Sequence, residues 1–162
     1  LHDDRQDRSP AGCLGELAVL VAALHPRDAE AVRRSADDAG DVDGDLLAAD
    51  GYVFATPENL AAIAGLMKDF FDRSYYAALD RLNGRPYAAL VCAGSDGSNA
   101  ARQIARIATG WRLREIAPPL VVCTHAQTTE AILAPKVVPA AELARGEELG
   151  AAFATGLAMG AF

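Results

Sequence analysis

Gly51-Tyr52-Val53-Phe54-Ala55-Thr56-Pro57-Glu58-Asn59 is the stretch on which the fold turns. Five residues, Gly51 to Ala55, form an apolar, strand-like run. The run stops abruptly at the polar turn Thr56-Pro57-Glu58-Asn59. A helix-patterned segment follows at once. Leu60, Ile63, Ala64, Met67, Phe70 and Phe71 fall on one face of it, and Lys68, Asp69 and Asp72 on the other. A short apolar run ended by a turn is expected of a strand buried on both faces. A strand feeding a polar turn and then a helix is how α/β proteins hold ligands at the carboxyl edge of a parallel sheet.

The same unit recurs downstream. Asn83-Gly84-Arg85-Pro86 marks a turn, and Tyr87–Ala93 is a second apolar strand. Gly94-Ser95-Asp96-Gly97-Ser98-Asn99 is a loop of glycine and small polar residues. The helix after it carries Ala100, Ala101, Ile104, Ile107 and Ala108 on its apolar side, and Trp111 and Arg112 are expected to close it against the core. Pro118-Pro119 opens a third strand, Leu120–Cys123, which runs into Thr124-His125-Ala126-Gln127-Thr128. A last helix is expected over about Ala140 to Met159, with Leu143, Leu149, Phe153 and Leu157 toward the core. This alternation argues for a parallel sheet with helices on its faces, joined by right-handed crossovers.

Upstream the pattern is less regular. Leu14, Leu17, Val21 and Leu24 recur at helical spacing and His25-Pro26 ends the segment, which favours a helix; a strand over Leu17–Val21 is the rival reading. Val32-Arg33-Arg34 fits a short edge strand. Ser35 to Asp45 is acidic, holds two glycines and reads as a solvated loop.

At 162 residues, the chain has the size of one domain. With 51% hydrophobic and 23% charged residues, its composition is that of a globular protein. A net charge of −7 with no basic stripe argues against a nucleic-acid partner. The three cysteines, Cys13, Cys92 and Cys123, have neither metal-ligand nor disulfide spacing, which fits reduced thiols in the cytoplasm. No apolar run approaches the ~20 residues of a membrane span. The first eight residues hold three Asp and two Arg, unlike the basic flank of a signal peptide. The chain begins with Leu rather than Met, which points to a fragment, a non-standard start or missing upstream sequence.

Three loops are expected to gather along one sheet edge: Thr56–Asn59, Gly94–Asn99 and Thr124–Thr128. Each has a plainer explanation. Thr56 and Pro57 suit a helix start, and Gly94 and Gly97 suit a turn. Their shared content of small polar groups on one edge favours a flat ligand with polar margins. His2, His25 and His125 have no ligand partner at helical spacing, so no metal site is expected. Ser95 and Ser98 lack the strained elbow of a nucleophile.

Thr56-Pro57-Glu58-Asn59 followed by Leu66-Met67-Lys68-Asp69-Phe70-Phe71-Asp72 resembles the second flavin loop and following helix of the flavodoxin-like NAD(P)H-dependent FMN reductases and quinone reductases. Ala93 to Ser98 sits where that family wraps the isoalloxazine edge. The resemblance covers roughly residues 47–128. It implies an α/β fold, a three-layer flavodoxin-like doubly wound parallel sheet in the order 2-1-3-4-5, as a single domain over residues 1–162. Residues 46–162 match well and residues 1–45 are atypical. It implies noncovalent FMN, with NAD(P)H as cosubstrate and hydride passing through the flavin to a quinone or similar small-molecule acceptor. Carried over by position, Thr56, Pro57, Glu58 and Asn59 contact the ring and ribityl chain, and Gly94, Ser95, Asp96 and Gly97 line its other side. His125, at a strand end, is a further candidate to face the pocket, its plainer reading being a surface or hydrogen-bonded structural histidine. Relatives of this kind are homo-oligomers.

The amino terminus departs from the family. A hydrophobic strand there should lead into a Ser/Thr- and Gly-rich loop that holds the FMN phosphate. Residues 1–8 are too polar for a central strand, so that strand and the phosphate loop are atypical or missing. Ser9-Pro10-Ala11-Gly12-Cys13 is one candidate remnant, with Ser9 its only hydroxyl. Under the rival strand reading, His25-Pro26-Arg27-Asp28 replaces the loop and Arg27 meets the phosphate. A domain that has lost flavin and acts as a structural or interaction module is the alternative function, and another nucleotide or a carbohydrate phosphate on the same edge is a third. Asn59→Ala and Gly97→Val are both expected to weaken flavin binding and leave the fold intact.

Overall fold

The computed structural model describes residues 20–25, 28–35 and 42–162, with side chains from residue 43 onward. The elements run β1 (Leu20–His25), β2 (Asp28–Ser35), α1 (Val42–Ala48), β3 (Gly51–Asn59), β4 (Ala62–Ile63), α2 (Gly65–Ala78), β5 (Pro86–Ala93), α3 (Ser98–Gly110), β6 (Arg114–Glu115), β7 (Leu120–Cys123), α4 (Thr129–Leu133) and α5 (Ala140–Ala158). The strands β3, β5 and β7 that the apolar runs predict are all present and mutually parallel. β6 and β7 share one edge of β5, β6 at its start and β7 at its end.

On the other side of β3 the strands keep the expected order, β2-β1-β3, but β1 runs against its neighbours. β1 pairs antiparallel to β3, with Leu20 opposite Ala55 and Leu24 opposite Gly51. β2 pairs antiparallel to β1 and closes that edge, and it contains the predicted edge strand Val32-Arg33-Arg34. The turn-back of β2 on β1 follows from chain length. Only two residues separate His25 from Asp28, whereas a parallel crossover needs roughly a dozen or more. The helical reading of Val21 and Leu24 is therefore corrected to a strand. Over six residues, spacing alone does not separate the two; pairing on both edges does. Leu14, Leu17 and Cys13 lie outside the described residues. The expected acidic loop is also shortened from its far end, because α1 begins at Val42 and buries Leu46.

α1 is fastened by one side chain. Arg85 Nη1 reaches the carbonyls of Leu46 and Leu47 at 3.3 and 2.9 Å, the Ala49 carbonyl, and the Tyr52 hydroxyl at 2.9 Å. Tyr52 itself donates to the Leu46 carbonyl at 2.8 Å. A guanidinium at a helix C-terminus satisfies carbonyls that have no intrahelical partner and complements the negative end of the dipole.

The core lies between the sheet and the helices α2 and α3. Phe54 on β3 meets Phe71 edge-on at 5.1 Å and Tyr87 at 5.9 Å, and Phe71 meets Trp111 edge-on at 5.2 Å. Trp111 thus closes α3 against the core, as its position predicts. Arg112 instead sits at the surface, paired with Asp80 at 2.8 Å. On α5, Phe153 is buried, Leu149 and Leu157 are half-buried, and Leu143 is exposed, contrary to the expected inward face.

Two core polar groups lead to stability predictions. Ser74 on α2 is 1% exposed and its hydroxyl has no hydrogen-bond partner among the described residues. A buried unsatisfied hydroxyl costs free energy, and alanine is the better helix former. Ser74→Ala should therefore stabilise the protein by about 1 kcal/mol, raising Tm by roughly 2–4 °C in a calorimetric scan; a lower Tm would contradict the reading. Burial, reinforced by the Glu115 carboxylate, pushes the Tyr87 phenol up from 10.0 to about 12. A folded-state value above the unfolded one means stability is intact below pH 10 and is lost as pH rises toward 12. The denaturant midpoint should fall through that window, and Tyr87→Phe should flatten the fall.

Candidate functional site

The carboxyl ends of β3, β5 and β7 lie level. Pro57 is in register with Cys92, and Ala93 with Cys123. The three following loops are therefore neighbours, and hydrogen bonds fasten them to one another. The Gly97 and Ala100 amides donate to Glu58 Oε2 at 2.9 Å and Oε1 at 3.3 Å. The Thr124 amide donates to the Ala93 carbonyl at 2.8 Å, and Gln127 Nε2 to the Gly94 carbonyl at 3.3 Å. Cys123 Sγ lies 3.5 Å from the Ser95 carbonyl and 3.7 Å from that of Asp96. Three stretches far apart in sequence make one rim.

Side chains on the rim divide into those turned inward and those left open. Thr56 is turned in: its Oγ1 accepts from the Ala64 amide at 3.1 Å and donates to the Pro57 carbonyl at 3.0 Å. The expected turn Thr56–Asn59 is instead the end of β3, paired to β5 through Pro57 and to β4 through Glu58 and Asn59; the Thr56 hydroxyl clamps this strand end and is not free for a ligand. Pro57 is buried and Glu58 half-buried. Asn59, Ser95, Asp96 and His125 are exposed. Ser98 donates to Asp96. His125 has φ +54°, a left-handed conformation uncommon outside glycine. Gly94 leaves its nearest neighbour, the Ala126 carbonyl, 3.7 Å from where a Cβ would stand, so a planar group can approach the main chain there.

Gly97 is more constrained than a simple turn glycine. Its φ is +74°, and a Cβ would stand 2.6 Å from Val121 Cγ1 and 3.1 Å from Ala93 Cβ. The expectation that Gly97→Val leaves the fold intact is thereby corrected.

The segment after Asn59 also differs from the sequence reading. Leu60 and Ala61 do not begin a helix. They form the tip of a tight hairpin, with φ +50° and +60°, between β3 and β4. Leu60 is fully exposed rather than on an apolar helix face. The hairpin is held to α3 by the Asn99 side chain on the Ala61 carbonyl and by the Ile63 amide on Gln103 Oε1 at 3.1 Å. No turn residue in the sequence announces it; only the contact with α3 fixes it.

Ser9 lies outside the described residues, as does Arg27. The strands flanking Arg27 meet at the level of Gly51, the amino edge of β3.

An open groove of about 530 Å³ lies at that same amino edge, among Ile116, Ala117, Phe153, Gly156, Met159 and Phe162. It holds no titratable side chain, and the polar chemistry lies at the rim. Among the described residues no cluster of His, Cys, Asp or Glu has metal-binding geometry, and no helix is long and apolar enough to cross a membrane.

The strand–turn–helix units and their level ends lie within a longer match. Residues 14–128 match the family described as NADPH-dependent FMN reductase. The chain belongs to that family. A comparison with curated proteins gives no match. The matched span reaches from residues upstream of β1 through all three rim loops, and so extends well upstream of the residues that carry the sequence resemblance. Family membership places the protein among the oxidoreductases and supports the flavodoxin-like α/β fold.

Proposed function

We propose that the rim is a flavin slot and that the protein is an FMN-binding oxidoreductase, moving hydride from NAD(P)H through the flavin to a quinone or similar acceptor. The observation that carries this is the level ending of three parallel strands whose loops are hydrogen-bonded into one opening. Pro57, Asn59, Gly94, Ser95, Asp96 and His125 border it; Thr56, Glu58 and Gly97 shape it from behind. When bound, FMN supplies the redox chemistry, so the protein need only bind, orient and exclude. Gly94 admits the ring closely, and exposed Asn59 and Ser95 offer polar contacts to its margin.

The phosphate end is supported differently. Leu20 is paired with Ala55, so β1 begins at the rim, and Ser9 precedes it in sequence. The α3 N-terminus, a natural anion site, is already filled by the Glu58 carboxylate. The proposal extends to a cytoplasmic homo-oligomer; α2 leaves Tyr75 and Tyr76 exposed and in ring contact with each other, an aromatic patch for self-association.

Purified protein should be yellow, absorbing near about 450 nm as bound flavins do, and should quench the fluorescence of added FMN. Asn59→Ala should weaken FMN binding about tenfold, the worth of one good polar contact, with Tm unchanged. The second reading, a domain that has lost flavin, is favoured by the antiparallel β1, which removes the usual strand-to-phosphate-loop step. Colourless protein that leaves FMN fluorescence intact would select it.

A further inference from the structure

We propose that Glu58 is a positioning residue that sets the width of the slot from behind rather than touching the ligand. This rests on the flavin-binding reading above.

Glu58 stands at the end of strand β3, yet both its carboxylate oxygens are used on another element. Oε2 accepts from the Gly97 amide at 2.9 Å and Oε1 from the Ala100 amide at 3.3 Å. These are among the first donors of α3, which has no side-chain cap of its own: its N-cap residue is Gly97, in the left-handed conformation. A glycine is required there because a Cβ would strike Val121. The helix therefore cannot carry a capping side chain at that position, and β3 supplies one across the rim. A carboxylate answering the positive end of the helix forms charge-assisted hydrogen bonds, stronger than neutral ones.

The consequence is mechanical. The strand end Thr56–Asn59 and the loop Gly94–Asn99 form two sides of the opening, and the Glu58 carboxylate joins them directly. The same strand end is pinned from beneath by Thr56 Oγ1 on the Ala64 amide. The hairpin tip beyond it is tied to the same helix through Asn99 and Gln103. The Glu58 tie joins the end of β3 itself to the loop where it enters α3. Releasing it frees Ser95 and Asp96 to move relative to Pro57 and Asn59, while the core of each strand stays paired.

The test uses Glu58→Ala and Glu58→Gln in the full chain. Amide hydrogen exchange is measured in the FMN-free protein and FMN affinity by fluorescence quenching. In Glu58→Ala, exchange at Gly97 and Ala100 should quicken tenfold or more, with β5 amides unchanged, and the FMN Kd should rise at least tenfold. Glu58→Gln keeps one acceptor oxygen and should fall between parent and Ala in both readouts. This graded rescue separates positioning from a general loss of stability. Unchanged exchange at Gly97 and Ala100, or an FMN Kd within twofold of the parent in both variants, would overturn the proposal. A parent protein that binds no FMN overturns the flavin reading instead, and amide exchange then decides the Glu58 tie by itself.

Discussion

Gly97→Val is expected to destabilise the protein by about 3–5 kcal/mol, through two costs that add. The first is conformational. Gly97 has φ +74°, where an L-residue pays roughly 1–2 kcal/mol and a β-branched one more. The second is steric. The first atom added would stand 2.6 Å from Val121 Cγ1 and 3.1 Å from Ala93 Cβ. Val121 belongs to β7 and Ala93 to β5, so relief requires parting two paired strands. Overpacking of this kind costs about 1–3 kcal/mol. Set against a typical domain stability of ~5–15 kcal/mol, the loss is large. Urea unfolding should show a markedly lower midpoint with an unchanged slope. A midpoint within the error of the parent would mean that Gly97 is only a convenient turn residue.

Phe71→Ala carries the other large effect, again about 3–5 kcal/mol. Phe71 is 2% exposed and sits where three elements meet. It touches Phe54 of β3 edge-on, Trp111 at the end of α3 edge-on, and its neighbour Phe70 at 5.5 Å. Truncation removes the transfer free energy of the ring and leaves a cavity walled by aromatic side chains that cannot collapse together. The loss should appear in urea unfolding and as a changed Trp111 emission, Trp111 being the chain's one tryptophan. Retention of the parent midpoint would place the core elsewhere.

The contrast between these residues shows what could be read in advance. Phe71 was legible because an apolar residue at helical spacing beside a strand has few places to go. Gly97 was legible as a turn residue, but its contact with Val121 joins positions 24 apart and has no local signature. Glu58, read from the sequence as a ring contact, caps α3 in the structure. A glutamate after a Pro-containing turn gives no sign that its oxygens will meet the amides of Gly97 and Ala100. Leu60 was misplaced outright, since a hairpin turn without glycine or asparagine lacks the usual mark.

The amino-terminal third shows the same boundary. Its apolar run from Leu20 to Leu24 announced an element, and its short link to Asp28 already forbade a parallel neighbour. Which element it is, and which way it runs against β3, depended on the free edge of β3 available to receive it.

Strand runs, helix faces and the turns that separate them were written in the order of residues, because burial of apolar side chains repeats with the period of the local backbone. The family match followed from the same local order. The antiparallel hairpin beside β3, the tie from Glu58 to α3 and the clamp of Thr56 on Ala64 were settled only in three dimensions. Each is a hydrogen-bonding partnership between distant residues, and a polar group carries no mark of its partner until the chain has closed around it.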